Sequence, residues 1–273
     1  MAAQLDFLEL DVFVSGAFTG NPLAVVAGAD ALDTSMMQRI ASWTNFSETT
    51  FILTPRDPNA DYRVRIFTPA RELPFAGHPT LGTAKAWLEL GGTPRKPGVL
   101  MQECESGTVA VRVDGEQLAF AAPPLTKCGP LSAAELDRVA KSLGLGMKEI
   151  HAAAWGDNGP GWIMVQVADV DTLRALSYSG ELKLGVVALT GRDDPLYEVR
   201  GFRPEYEDPV TGSLNAALAQ WMRSREIAPA SYTAVQGMQV GRAGRIDVRD
   251  DGDQIWVGGR VSVRVRGVLD LGG

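Results

Sequence analysis

Four side chains of proton-handling or hydroxyl type stand at the junctions of this sequence. Glu48 lies in Asn45-Phe46-Ser47-Glu48-Thr49-Thr50, and His78 follows Gly77 in Phe75-Ala76-Gly77-His78-Pro79-Thr80. Asp208 and Ser213 frame Asp208-Pro209-Val210-Thr211-Gly212-Ser213. A carboxyl taken out of water has a raised pKa and can both take and return a proton near neutral pH, so Glu48 is the candidate acid/base. Gly77 and Gly212 each precede a helix, where glycine lets a ligand come close to the backbone. Pro79 suits a first helical turn. The free N–H groups and positive dipole end of such helices attract anions. Two of these sites facing each other would hold a carboxylate without any cationic side chain. Singly, each residue also has an ordinary reading: Glu48 as a turn residue, Asp208 as the Asp of an Asp-Pro turn, His78 as a structural imidazole. Their joint placement is what points to a site.

An internal repeat positions these residues. Shifting the chain by 135 residues lays Val64–Leu88 on Val199–Arg223 without a gap, with eight identical pairs in 25 positions. They are Val64/Val199, Arg65/Arg200, Phe67/Phe202, Pro69/Pro204, Glu72/Glu207, Pro74/Pro209, Gly77/Gly212 and Ala84/Ala219. Background composition gives roughly one or two. Duplicated halves keep in common what the fold needs, so chemistry is expected where the copies disagree. Asp208 falls opposite Leu73, Ser213 opposite His78 and Lys183 opposite Glu48.

Each copy reads as an apolar strand, an amphipathic helix, two β-rich runs, a Pro-containing loop and a second helix, closed by Val- and Gly-rich strands. The second helices, over 78–90 and 213–227, are apolar nearly all round and are therefore buried ones. The expected fold is α+β: two pseudo-symmetric halves, each a curved β-sheet or barrel around its own central helix. The halves are expected at residues 1–124 and 125–273, with the last strand able to cross back to the first half. Pro123-Pro124 and Gly129-Pro130 join them, ahead of a helix opened by the capping box Ser132-x-x-Glu135.

Composition narrows the function. The chain has 273 residues, 45% of them apolar and 22% charged, and a formal charge of -7, which disfavours nucleic acid and anionic membranes as partners. Asp6, Glu9 and Asp11 precede the first basic residue, Arg39, so no secretory signal is expected and a cytoplasmic location is. Cys104 and Cys128 cannot build a disulfide framework or a four-thiolate zinc site. His78 has no second metal ligand at useful spacing, and no nucleotide-binding glycine loop follows a strand, so no cofactor is expected.

Gly20-Asn21-Pro22-Leu23-Ala24-Val25-Val26, Ser47-Glu48-Thr49, Gly77-His78-Pro79-Thr80-Leu81 and Glu207-Asp208-Pro209-Val210-Thr211-Gly212-Ser213 together resemble the phenazine-biosynthesis isomerase (PhzF-like) family, which shares the diaminopimelate epimerase fold. The resemblance spans nearly the whole chain. It implies a cofactor-independent isomerase or epimerase of the dihydro-hydroxyanthranilate isomerase type, with its site in the cleft between the halves. Glu48 corresponds to the catalytic acid/base, and Gly77, His78, Asp208, Gly212 and Ser213 line the substrate pocket. A small carboxylate is the implied substrate and a homodimer the expected assembly. Two other readings use the same scaffold. A two-thiol racemase needs cysteines at the helix entrances, where this chain has His78 and Ser213. A catalytically inactive metabolite-binding protein remains open.

Overall fold

The computed structural model describes residues 4–272. In chain order the elements are β1 (Gln4–Val12), β2 (Asn21–Ala27), α1 (Thr34–Thr44), β3 (Thr49–Leu53), β4 (Tyr62–Phe67), β5 (Glu72–Leu73), α2 (Gly77–Glu89), β6 (Val99–Cys104), β7 (Gly107–Asp114) and β8 (Gln117–Ala121). There follow β9 (Lys127–Pro130), α3 (Ala133–Leu143), β10 (Ile150–Asp157), β11 (Ile163–Val167), α4 (Val170–Ala175), β12 (Leu184–Leu189) and β13 (Tyr197–Phe202). The chain ends with β14 (Glu207–Asp208), α5 (Gly212–Ser224), β15 (Ser231–Gln236), β16 (Gly244–Asp250) and β17 (Ile255–Asp270). Two compact units divide it: the chain up to Ala121 together with the chain from Gly258 on, and Ala122–Val257 between them.

In the first unit the strands pair in the order β1, β2, β3, β4, β6, β7, β8, β17 and back to β1, which closes an eight-stranded barrel. Closure is what lets a sheet bury one face completely without leaving an edge. Helix α2 fills the interior and packs against β1, β2, β3, β4, β6, β7 and β8. Its Leu81 and Ala84 are fully buried, as expected of a helix without a polar face. Outside the barrel α1 sets Met37, Ile40 and Ala41 on Val26, Phe51, Leu53 and Phe67. All five residues of β3 are consequently buried, half against each layer. At Gly20 an added Cβ would meet the carbonyl oxygen of Val12 at 2.1 Å, which accounts for glycine in Gly20-Asn21-Pro22.

The second unit repeats the plan. Its strands pair in the order β9, β10, β11, β12, β13, β15, β16, and the parallel pairs β11–β12 and β13–β15 match β2–β3 and β4–β6 of the first unit. Helix α5 is the buried counterpart of α2, with Leu214, Ala216, Ala217, Leu218, Ala219 and Met222 all at 0% exposure. Its Leu214 fits over Gly185 of β12, where an added Cβ would lie 2.1 Å from the leucine Cδ1. Helices α3 and α4 cover the other face through Val139, Leu143 and Leu173. The α+β fold expected from the repeat is therefore the one observed. The central helices begin one residue earlier than expected, at Gly77 and Gly212. No helix of the described residues is long and apolar enough to cross a membrane.

Candidate active site

Local chemistry explains how each unit presents its residues. In the first, α1 ends at Asn45, which adopts the left-handed conformation (φ 58°) that asparagine tolerates better than most residues. The chain then turns through Phe46 and Ser47, and Glu48 arrives at the mouth of β3 with 6% exposure. His78, the second residue of α2, is 5% exposed. Its Nδ1 lies 3.5 Å from Glu48 Oε2, so carboxyl and imidazole meet at the start of the buried helix.

In the second unit Gln236, fully buried on β15, shapes the corresponding entrance. Its amide oxygen accepts from the Thr211 N–H (3.0 Å) and Asn215 Nδ2 (2.8 Å), while its Nε2 donates to the Asp208 carbonyl (3.0 Å) and Thr211 Oγ1 (3.0 Å). Asp208 is 5% exposed. Burial pushes its carboxyl above the usual range, although Arg203, the Thr211 hydroxyl and the Val210 N–H pull the other way. Arg203 Nη2 donates to Asp208 Oδ2 at 3.2 Å. Ser213 is reached by a loop far away in sequence. Trp162 Nε1 donates to its Oγ (3.0 Å) and Asn158 Nδ2 to its carbonyl (2.8 Å). With one lone pair of the hydroxyl used by Trp162, its hydrogen is left to be donated elsewhere. Lys183, the counterpart of Glu48, donates instead to the Pro160 carbonyl (2.8 Å) and so pins that loop.

Helix capping separates these two helices from the others. Asp33, Ser132 and Asp169 close α1, α3 and α4 with side-chain hydrogen bonds. The N-cap residues of α2 and α5, Ala76 and Thr211, make no side-chain cap bond, and the helices open with Gly77-His78 and Gly212-Ser213. The positive dipole end of such a helix start stabilises an anion by typically 0.3–1 kcal/mol or somewhat more if partly buried. Among the described residues no three His, Cys, Asp or Glu side chains gather to hold a metal ion.

The family model for phenazine biosynthesis-like proteins matches residues 10–268. The chain belongs to that family. Among its relatives, trans-2,3-dihydro-3-hydroxyanthranilate isomerase of Pseudomonas chlororaphis is 34% identical, over 96% of each chain. The Schizosaccharomyces pombe protein called antisense-enhancing sequence 1 is 33% identical, over 96% of this chain and 97% of its own. A PhzF-family phenazine biosynthesis protein of Bacillus anthracis superposes with a TM-score of 0.85 at 23% identity, covering 98% of this chain and 99% of that one. A hydroxyproline epimerase of Agrobacterium vitis shares the fold more distantly, with a TM-score of 0.61 at 12% identity, over 99% of this chain and 94% of its own. Like the family's named enzymes, this chain is an isomerase.

Within the PhzF-like frame, the structure brings Glu48 to His78 at the start of α2 in one unit, and Asp208 to Arg203 and Thr211, just ahead of Gly212 and Ser213, in the other. The sequence reading missed Arg203, Trp162, Asn158 and Gln236. It expected no cation at the helix entrances, yet Arg203 stands against Asp208. The repeat held a signal for this one: Arg203 falls opposite Thr68, between the identical pairs Phe67/Phe202 and Pro69/Pro204.

Proposed function

We propose that this PhzF-like isomerase moves a proton between carbons of a small carboxylate, with Glu48 as the acid/base and no cofactor. The observation that carries this is the burial of Glu48 with its carboxyl 3.5 Å from the His78 imidazole at the start of the buried helix α2. A carboxylate shielded from water is a stronger base than one in solvent, and a neighbouring imidazole can orient it or pass its proton on.

In the step proposed, Glu48 takes a proton from a C–H bond and the freed electron pair moves into the adjoining unsaturated system. Another carbon then receives the proton from the same carboxyl, so nothing is oxidised or reduced. The Gly212 N–H and the Ser213 hydroxyl donate to the substrate carboxylate and to charge that spreads onto it. Asp208 orients a polar group of the substrate. Trans-2,3-dihydro-3-hydroxyanthranilate, the substrate named for the Pseudomonas relative, is the first compound to test.

Turnover in deuterated water tests the reading. Deuterium should enter the product at the carbon that gains hydrogen, fully if Glu48 exchanges with solvent and partly if it is sheltered. Glu48→Gln, nearly the same shape, should lose about 10²–10⁴ in rate while folding and binding ligand as before. Ligand binding with neither deuterium incorporation nor an isotope effect at the donor carbon would sink proton transfer and leave a metabolite-binding protein.

A further inference from the structure

The repeat gives Arg203 a built-in control. At the equivalent turn of the first unit the Thr68 N–H donates to the Arg71 carbonyl (2.8 Å), and in the second unit the Arg203 N–H donates to the Tyr206 carbonyl (2.9 Å). The backbone turn is thus the same in both copies. The Thr68 hydroxyl is spent on its own turn, donating to the Arg71 carbonyl and accepting from the Ala70 and Arg71 N–H groups. The Arg203 side chain turns to other partners. Its guanidinium lies over the ring of Trp162 (5.3 Å to the centroid) and that of Tyr206 (5.7 Å), and donates to Asp208. Trp162 is fully buried and in turn donates to Ser213. Two aromatic rings within cation–π distance hold the guanidinium and take the place of part of its water, which strengthens its attraction for an anion. The side chain nevertheless keeps 22% exposure, enough for a ligand to reach it.

We propose that Arg203 is a substrate-binding residue that recognises a carboxylate of the substrate, and so sets this chain's preference for acidic over neutral ligands. The proposal rests on the isomerase reading above and adds a cationic partner that the helix ends alone do not supply. Arg203 presents a planar fork matched to a carboxylate. The position belongs to the second copy alone, since Thr68 cannot play this part in the first.

The test compares anthranilate with anthranilamide, which keeps the ring and its size but loses the charge, by calorimetric titration of the full chain. The native protein should bind the carboxylate at least about tenfold more tightly, the equivalent of about 1.4 kcal/mol. Arg203→Met keeps the stem and the ring contact. It should abolish most of that preference while leaving the amide affinity within about twofold, and Arg203→Lys should retain part of it. Should the Met variant fail to fold, Arg203→Gln makes the same comparison. If Arg203 only neutralises Asp208, both ligands weaken equally, and that result overturns the proposal. So does a carboxylate preference that survives the loss of the guanidinium, or a native chain that does not distinguish the two ligands. Turnover by Glu48→Gln would overturn the proton-transfer reading instead, and the ligand comparison would stand apart from it.

Discussion

The two hairpins that lead into the central helices share a scaffold and differ in the side chains set upon it. In the first unit Arg65 binds Glu72 through both Nε and Nη2, each at 2.6 Å, and its guanidinium lies over the Phe67 ring. In the second, Arg200 binds Glu207 in the same fork, at 3.0 and 2.7 Å, over the Phe202 ring. All six residues are identical pairs of the repeat. They tie β4 to β5 and β13 to β14, and so aim the loop at the helix start. Glu48, His78, Arg203, Asp208 and Ser213 are instead positions where one copy departs from the other. What is repeated holds the backbone, and the side chains proposed to touch the ligand are not repeated.

The strongest test of that division is to break the shared clasp in each copy. Arg200 and Glu207 are each about 10% exposed, whereas Arg65 and Glu72 are about a quarter exposed. Arg200 also donates to the Leu173 and Leu176 carbonyls, so losing its carboxylate leaves a buried charge held only by carbonyls. Glu207→Ala should cost about 3–5 kcal/mol, as breaking a buried pair does. Glu72→Ala should cost only about 1 kcal/mol, because water can replace the lost partner. Urea unfolding of both variants measures the difference, and equal losses would mean that the two clasps do not differ as their burial implies.

A divergent residue should behave the opposite way and cost stability. Burial raises the Asp208 carboxyl, so its ionised form is the less favoured one in the folded chain. A group whose folded pKa is raised contributes stability below its unfolded pKa and loses it as pH rises through the folded value. Asp208→Asn stays neutral throughout. It should therefore be more stable than the native chain at pH 7, and equal to it below the ordinary pKa of an aspartate, about 4. Melting curves across that range check the sign. A variant destabilised at pH 7 would place Asp208 among the structural residues.

The sequence made the division visible where the repeat runs without gaps. Ungapped identity over Val64–Leu88 exposed the clasps, both helix starts and the odd positions Asp208 and Ser213. Upstream the offset drifts: Ala24 pairs opposite Thr49 but Ile163 opposite Leu184, so β2 and β11 are 139 residues apart while β3 and β12 remain 135 apart. The loop from Asp157 to Trp162 therefore had no counterpart against which to be read. Its link to Ser213 spans 51 residues, and that from Gln236 to Thr211 spans 25. Contacts of that kind are set by how strands curl around α5, which no local pattern encodes. The return of β17 to β1 is longer still, joining Gln4 to Asp270.

The smallest expected effect concerns the two thiols, neither of which belongs to a helix start. Cys104 ends β6, where burial pushes its thiol up and its Sγ donates to the Gly107 carbonyl at 3.2 Å. Cys128 is exposed on β9. Only the thiolate attacks an alkylating agent, so iodoacetamide at pH 8 should modify Cys128 first and Cys104 far more slowly. Mass spectrometry of the time course reads that order. Isomerase activity should persist through the first modification and in Cys104→Ser with Cys128→Ser, because the residues proposed to move the proton and hold the carboxylate contain no sulfur. A two-thiol racemase would need a cysteine activated at each helix start. In this chain those places carry His78 and Ser213. Rapid inactivation that ligand prevents would move the chemistry to sulfur and break the comparison, since neither cysteine falls at a divergent position of the paired helix starts.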